Sequence, residues 1–248
     1  MTVVLKLGGS VITEKDRPET LDGEALDAAA DSIAAAIDAD DADGLVVVHG
    51  GGSFGHHHAS ERGVSTTAGT REIDAVHAIH GAMTTLNRFV LDRLIDRGVP
   101  AVPVHPLSAG HRSADGTLSL PTGQVAALLE EGFVPVLHGD LVAHEGAGTT
   151  VVSGDELVVE LADALGAGRV GLCSTVPGVL DADDRVVDRI ERYEDVATLL
   201  GESDATDVTG GMAAKVRALC ELNAEAGIFG VDQLDGFFAG EGPGTTVS

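Results

Sequence analysis

Fifteen basic side chains stand against forty acidic ones in this 248-residue chain, and only three of the fifteen are lysines: Lys6, Lys15 and Lys215. A sequence that has shed nearly all its lysine retains the survivors for chemistry rather than for solvation. Each lies close to a glycine turn. Lys6 precedes Gly8-Gly9-Ser10, Lys15 follows it, and Lys215 follows Gly210-Gly211. A further turn, Gly50-Gly51-Gly52, runs into Ser53-Phe54-Gly55-His56, and Ser153-Gly154-Asp155 adds a carboxylate beside another glycine. Glycine lets the backbone bring bare N–H groups close to an anion. Lysine supplies charge, and an imidazole donates a hydrogen bond whether charged or neutral. Cations and N–H cradles around a mobile group are what phosphoryl transfer requires. The chain lacks G-x-x-x-x-G-K-S/T and the H-R-D and D-F-G pair, so neither the P-loop nor the protein-kinase architecture supplies them.

The elements that must hold these residues are legible from pattern. Leu45–Val48 is a β-branched apolar run of strand length that ends in three glycines, which marks a buried parallel strand with its ligand beyond the carboxyl end. Residues 2–7 form a similar run, with Lys6 at its end. Between them Leu21, Ala25, Ala29, Ile33 and Ile37 make one stripe of an amphipathic helix, closed by Asp43-Gly44, so the order is that of a βαβ unit. Ala59–Thr70 is polar and long enough for a flap. A stripe from Ile73 to Leu94 predicts a long helix stopped by Gly98 and Pro100. Its apolar face is assigned to the core, although periodicity does not separate core from a part that lines a substrate pocket near the glycine loop. His77 and His80 are assigned to the helix surface or core rather than to a ligand.

Ala101–Val104 and Val134–Leu137 read as strands, Thr122–Glu130 as a helix and 141–152 as a hairpin. Asp155 is expected to N-cap a helix over Glu156–Leu165. Arg169–Ser174 reads as a strand followed by the loop Thr175-Val176-Pro177-Gly178, and Asp181–Asp184 as a solvated turn. Leu199–Asp207 is polar, Met212–Ala226 is helical, and residues 244–247 form a last strand. No linker or repeat divides the chain. The expectation is one domain over 1–248, with an N-terminal lobe to about residue 150 and a C-terminal lobe beyond it that share one continuous sheet.

Composition narrows the class. A net charge of −25 with 44% hydrophobic residues describes a folded protein with an acidic coat rather than a disordered one. The coat suits a salt-rich cytosol that screens self-repulsion, and the lack of a basic patch argues against nucleic acid as partner. Two distant cysteines, Cys173 and Cys220, read as free thiols in a reducing compartment. The chain enters strand-like sequence at once, with no leader signal, and no apolar run approaches the roughly 18 residues a membrane span needs. A soluble, cytoplasmic protein is expected.

Lys6-Leu7-Gly8-Gly9-Ser10, His49-Gly50-Gly51-Gly52-Ser53-Phe54-Gly55-His56, Ser153-Gly154-Asp155 and Asp207-Val208-Thr209-Gly210-Gly211-Met212-x-x-Lys215 together resemble the motif set of the amino acid kinase superfamily. Within it the G-G-G-S-F-G-H form, with His56, is most similar to the archaeal isopentenyl phosphate kinases. The resemblance runs from residue 2 to about 247. It implies a three-layer αβα sandwich around an open, mainly parallel sheet of about eight strands, with the acceptor in the N-terminal lobe and ATP in the C-terminal one. It implies ATP-dependent phosphorylation of isopentenyl phosphate to isopentenyl diphosphate in isoprenoid biosynthesis, with Mg²⁺, in a homodimer.

By motif position, Lys6, Gly8, Gly9, Ser10, Lys15, Thr175, Gly178, Gly210, Gly211 and Lys215 would meet ATP. Gly51, Gly52, Ser53, Gly55, His56 and Gly154 would meet the acceptor, with Asp155 holding the lysines. Lys6, Lys15, His56, Asp155 and Lys215 would be the catalytic set. One motif departs: the usual T-D-V-D-G nucleotide loop is Ser174-Thr175-Val176-Pro177-Gly178 here, without either acid. His57 and His58 follow His56, but consecutive histidines rarely aim at one centre, and no metal-ligand set is expected. Two alternatives remain: a sister kinase for a carboxylate or phosphonate, such as acetylglutamate or fosfomycin, and a non-catalytic nucleotide- or oxyanion-binding protein.

Overall fold

Val3–Leu7 (β1) and Leu45–His49 (β2) are buried at every position and pair in parallel, from Val3 opposite Leu45 to Leu7 opposite His49. Strands buried on both faces read as near-continuous apolar runs, as these do apart from Lys6 and His49 near their carboxyl ends. The computed structural model that shows them describes residues 1–200, 211–222 and 224–248. Between the two strands lie the short α1 (Gly9–Ile12) and α2 (Gly23–Asp38). The latter is N-capped by Asp22, which accepts from Ala25 N at 3.0 Å. Two helices follow β2: α3 (Gly52–Glu61) and the 23-residue α4 (Ile73–Ile95).

The middle of the chain holds β3 (Ala101–Pro103), β4 (His111–Arg112), β5 (Leu118–Ser119), α5 (Gly123–Glu130), β6 (Val134–His138), β7 (Asp140–His144) and β8 (Gly148–Val152). The last part holds α6 (Gly154–Leu165), β9 (Arg169–Ser174), β10 (Arg189–Ile190), α7 (Tyr193–Leu200), α8 (Gly211–Leu219), β11 (Ala226–Gly230), α9 (Leu234–Phe238) and β12 (Thr245–Val247). Eight strands form one sheet in the order β10-β12-β11-β9-β1-β2-β6-β3, parallel throughout except between β11 and β12. A four-stranded sheet, β5-β4-β7-β8, stands beside it. Because β1 lies between β2 and β9, the main sheet runs through both halves of the chain.

Alternate residues of β1 and β2 face opposite layers. Val3, Leu5, Leu7, Leu45 and Val47 pack with α2, α4 and α9, whereas Val4, Val46 and Val48 pack with α5, α6 and α8. This is the expected αβα sandwich around an eight-stranded, mainly parallel sheet.

Several local expectations need correction. The polar stretch from Ala59 begins inside α3, because the helix starts at Gly52 without an intervening loop. The helix expected over Met212–Ala226 ends at Leu219, and Ala226 opens β11, which pairs with β9. Sheet pairing there overrides the helix preference of an alanine-rich segment. Asp155 is not the cap of α6. Ser153 is, in a reciprocal box: Ser153 Oγ accepts from Glu156 N at 3.2 Å, and Ser153 N donates to Glu156 Oε2 at 2.8 Å. Of the polar segment Leu199–Asp207, residues 201–207 lie outside the described residues, as does Gly210.

Candidate active site

The carboxyl ends of β1, β2, β6 and β9 open onto one cavity of about 170 Å³. Gly8, Gly9 and Ser10 reach it from β1, Gly50 to Gly52 from β2, Gly139 and Asp140 from β6, and Ser174 and Thr175 from β9. The first two turns touch backbone to backbone. A Cβ on Gly9 would fall 2.6 Å from Gly52 Cα, and one on Gly50 would fall 2.6 Å from Gly9 N. Gly52 has φ +49° and abuts Thr13. No other residue fits this crossing.

Behind the turns Lys6 Nζ donates to Asp155 Oδ1 at 2.6 Å, with both side chains at least 87% covered. Gly154 leaves room for the lysine stem, since a Cβ there would sit 3.1 Å from Lys6 Cε. Capping by Ser153 leaves the Asp155 carboxylate to Lys6, so the box and the ion pair divide two acids of one turn. Lys215 lines the same cavity from α8, where its Nζ donates to Gly211 O at 3.4 Å. Thus Lys6, Asp155 and Lys215, from three distant stretches, meet at one place.

His56 also lines the cavity, its Cδ2 lying 3.4 Å from the point a Gly51 Cβ would occupy. The same cavity has an apolar part of its lining, made of Ala59, Ile79, Met83, Val151 and Val152. Gly55 admits the Met83 sulfur, which would lie 2.6 Å from a Cβ there. Ile79 and Met83 belong to the stripe assigned to the core. They are buried and line the cavity as well.

Other expected residues lie elsewhere. Lys15 sits on an exposed turn and is not among the residues lining the cavity. Ser53 is engaged with the chain: its N donates to Thr13 Oγ1 at 2.9 Å and its Oγ to Thr20 O at 3.2 Å. Gly178 is a packing glycine against Thr245 and Val186 rather than a cavity residue. His57 and His58, expected to diverge, each bring a ring nitrogen within 4.8 Å of the other and of a Glu61 oxygen at the surface. Both rings reach Glu61, one turn further along α3, and His58 Nε2 also lies 2.5 Å from Glu19 Oε1.

Sequence reasoning missed Asp140. Its carboxylate is buried at the cavity edge and accepts from His80 Nδ1, 3.0 Å from both oxygens. That hydrogen bond raises the His80 pKa above its ordinary value. The two residues are 60 apart, and no local pattern joins them. Cys173 also lines the cavity, and burial pushes its thiol up to about 12, so it stays protonated. Both cysteines are free thiols. Among the described residues no helix is long and apolar enough to cross a membrane.

Comparison with known proteins gives the family. The model of the amino acid kinase family matches residues 1–229. An isopentenyl phosphate kinase of Haloferax volcanii is 61% identical over 99% of this chain and 98% of its own length. Another, of Methanothermobacter thermautotrophicus, is 37% identical over 91% and 88%. A crystal structure of isopentenyl phosphate kinase superimposes with a TM-score of 0.83 at 30% identity, covering all of both chains. The chain therefore belongs to the amino acid kinase family and, within it, to the isopentenyl phosphate kinases.

Proposed function

We propose that this chain transfers the γ-phosphoryl group of ATP to isopentenyl phosphate, giving isopentenyl diphosphate and ADP. One observation carries the choice of acceptor. The turn at Gly51 and the His56 ring share a cavity with the apolar wall of Ile79, Met83 and Val151, so an anionic head and a short hydrocarbon tail are both provided for. The relatives named for the same reaction support it.

A phosphomonoester is already anionic near neutral pH, so its oxygen needs no general base. Its difficulty is approach to a second anion. Two unit charges about 4 Å apart repel by about 4 kcal/mol in a partly screened site. Lys6 and Lys215 offset that repulsion, Asp155 fixes the Lys6 ammonium, and the amides of Gly51 and Gly52 with His56 hold the acceptor in line. An acceptor oxygen then bonds to the γ-phosphorus as the bond to the ADP oxygen breaks. Gly8, Gly9, Ser10 and Thr175 provide the nucleotide side of the cavity, and Lys15 is assigned to the same phosphates on its motif position. The lining carboxylates, Asp140 and Asp155, are already engaged by His80 and Lys6, so Mg²⁺ fits as an ion carried on the ATP phosphates, whose charge it neutralises. A homodimer in the cytoplasm completes this reading.

Release of ADP with a panel of isopentenyl phosphate, acetylglutamate and fosfomycin tests the reading. Turnover confined to isopentenyl phosphate is the expected result. Preference for either of the others overturns the acceptor, and no turnover with any favours a binding protein. In His56→Ala the KM for isopentenyl phosphate should rise about 10- to 100-fold, as befits a lost hydrogen bond to a charged group.

A further inference from the structure

The glycine turn of β2 is held from behind by buried imidazoles. His49 and His138 end β2 and β6 at matching register, both are fully buried, and their rings stack at 5.5 Å. Each precedes a glycine and turns its Nδ1 to that glycine's carbonyl oxygen, at 3.1 Å for Gly50 and 2.9 Å for Gly139. A carbonyl can only accept, so both Nδ1 atoms carry the proton. Burial, and the neighbouring His138, push His49 down to about 3, so its ring is neutral and Nε2 presents a lone pair.

That lone pair requires a donor. The group facing it, 3.1 Å away, is the Asn87 amide, whose Nδ2 otherwise has no partner and whose Oδ1 would oppose the lone pair. Amide oxygen and nitrogen are alike in shape, and the amide turned over resolves both faults, with Nδ2 donating to His49 Nε2. The neighbouring strand repeats the scheme: His105 Nδ1 lies 2.8 Å from His138 Nε2 and is its donor.

The consequence lies on the cavity side. In a trans peptide the carbonyl and the following N–H point to opposite sides. With Gly50 O fixed against the His49 ring, the Gly51 N–H turns away from the ring, and Gly51 lines the cavity. Gly139 N donates to His49 O at 2.9 Å, which ties the two strand ends together. We propose that His49, in its Nδ1–H tautomer and supplied by an Asn87 donor, is a positioning residue that aims the Gly51 amide at the acceptor phosphate. The proposal rests on the reaction above only for the identity of that anion.

Spectra of the full chain with ¹⁵N-labelled histidine read the tautomer without any substrate. The His49 signal, assigned by its absence in His49→Asn, should show a protonated Nδ1 and a bare Nε2 from about pH 5 to about pH 8. A protonated Nε2 in that range overturns the assignment. Kinetics read the consequence. His49→Leu should raise the KM for isopentenyl phosphate about tenfold and leave that for ATP within about twofold, while His49→Asn, which keeps a donor near Nδ1, should restore the acceptor KM. Equal effects on both substrates, or none on the acceptor, contradict a positioning role. If His49→Leu does not fold, Asn87→Asp replaces the donor by an acceptor. It should put a proton on His49 Nε2 and weaken acceptor binding, and a bare Nε2 together with an unchanged acceptor KM overturns the proposal. Absence of turnover with isopentenyl phosphate in the unaltered protein refutes the reaction instead. The effect of His49→Leu on the affinity for inorganic phosphate then decides the positioning role by itself, a loss supporting it and no change refuting it.

Discussion

In the proposed transfer Asp155 serves the site through Lys6, and its own surroundings explain why it can. Ser153 and Glu156 satisfy the start of α6, leaving the Asp155 carboxylate to hold the ammonium at 2.6 Å. Asp155→Asn keeps the shape but loses the charge that fixes Lys6, and should lower kcat about 100-fold and also lower the melting temperature, because the covered ammonium is left without its counter-charge. Steady-state kinetics beside a melting curve check this. Of the expected residues, those the structure gathers at the cavity, Lys6, Lys215 and the glycines of the β1 and β2 turns, were legible in the sequence because few residue types suit such a place and each sits in a short motif, whereas Lys15 and Gly178 share the motifs but not the cavity. The pairs His49 with Asn87 and His80 with Asp140 were not legible, since they join positions 38 and 60 apart and carry no local pattern. These pairs also set a pH response. In the fold His49 titrates near 3, and His105 and His138 also fall below the ordinary value of 6.5, chiefly through burial. The unfolded chain therefore binds more protons as pH falls from about 6.5, and stability declines on acidification. The slope is at most about 1.4 kcal/mol per pH unit for each such group. His80 acts in the other sense: its contribution is complete below about 6.5 and is lost as pH rises through its raised folded value. Three groups outweigh one, so the melting temperature should fall between about pH 7 and about pH 5, and a flat profile there would contradict the neutral imidazole cluster.

Helices and strands near the site are placed by glycine crossings and by one cap. Because Gly9 and Gly50 meet without side chains, Gly9→Ala must part the β1 and β2 turns, and the protein should lose acceptor and nucleotide binding together in titration calorimetry. Ser153→Ala removes the cap of α6 and should cost about 1 kcal/mol in urea unfolding, with a further loss of activity if the turn that carries Asp155 shifts. Strands β1, β2, β6 and β9 were readable as apolar runs ended by glycine, polar or histidine residues. The capping box was also present in the sequence as Ser153 and Glu156, but Asp155 offered a competing cap of equal propensity. Short strands such as β4, β5 and β10, of two residues each, exist through pairing with distant partners and leave no pattern of their own. The segment from Met212 shows the same limit, since pairing with β9 decides that Ala226 begins a strand.

Over the whole molecule, the charge of −25 opposes folding through self-repulsion, whereas the apolar layers on both faces of the main sheet favour it. Raising salt from about 0.1 M to about 1 M shortens the screening length from about 10 Å to about 3 Å. The urea midpoint should therefore rise with potassium chloride, and full stability in dilute buffer would refute the role given to the acidic coat. The sandwich was legible as a whole because strand, glycine turn and helix alternate. Its strand order was not, for nothing local tells that β1 sits between strands from the two halves of the chain. That placement is what brings Lys6, His56 and Lys215 around one cavity, the arrangement on which the proposed transfer depends. ³¹P spectra of isopentenyl phosphate incubated with ATP, Mg²⁺ and the protein test it most directly. The predicted result is the growth of the paired signals of an alkyl diphosphate together with ADP, nearly abolished in Lys6→Ala. An unchanged phosphomonoester signal, or formation of inorganic phosphate alone, would contradict it.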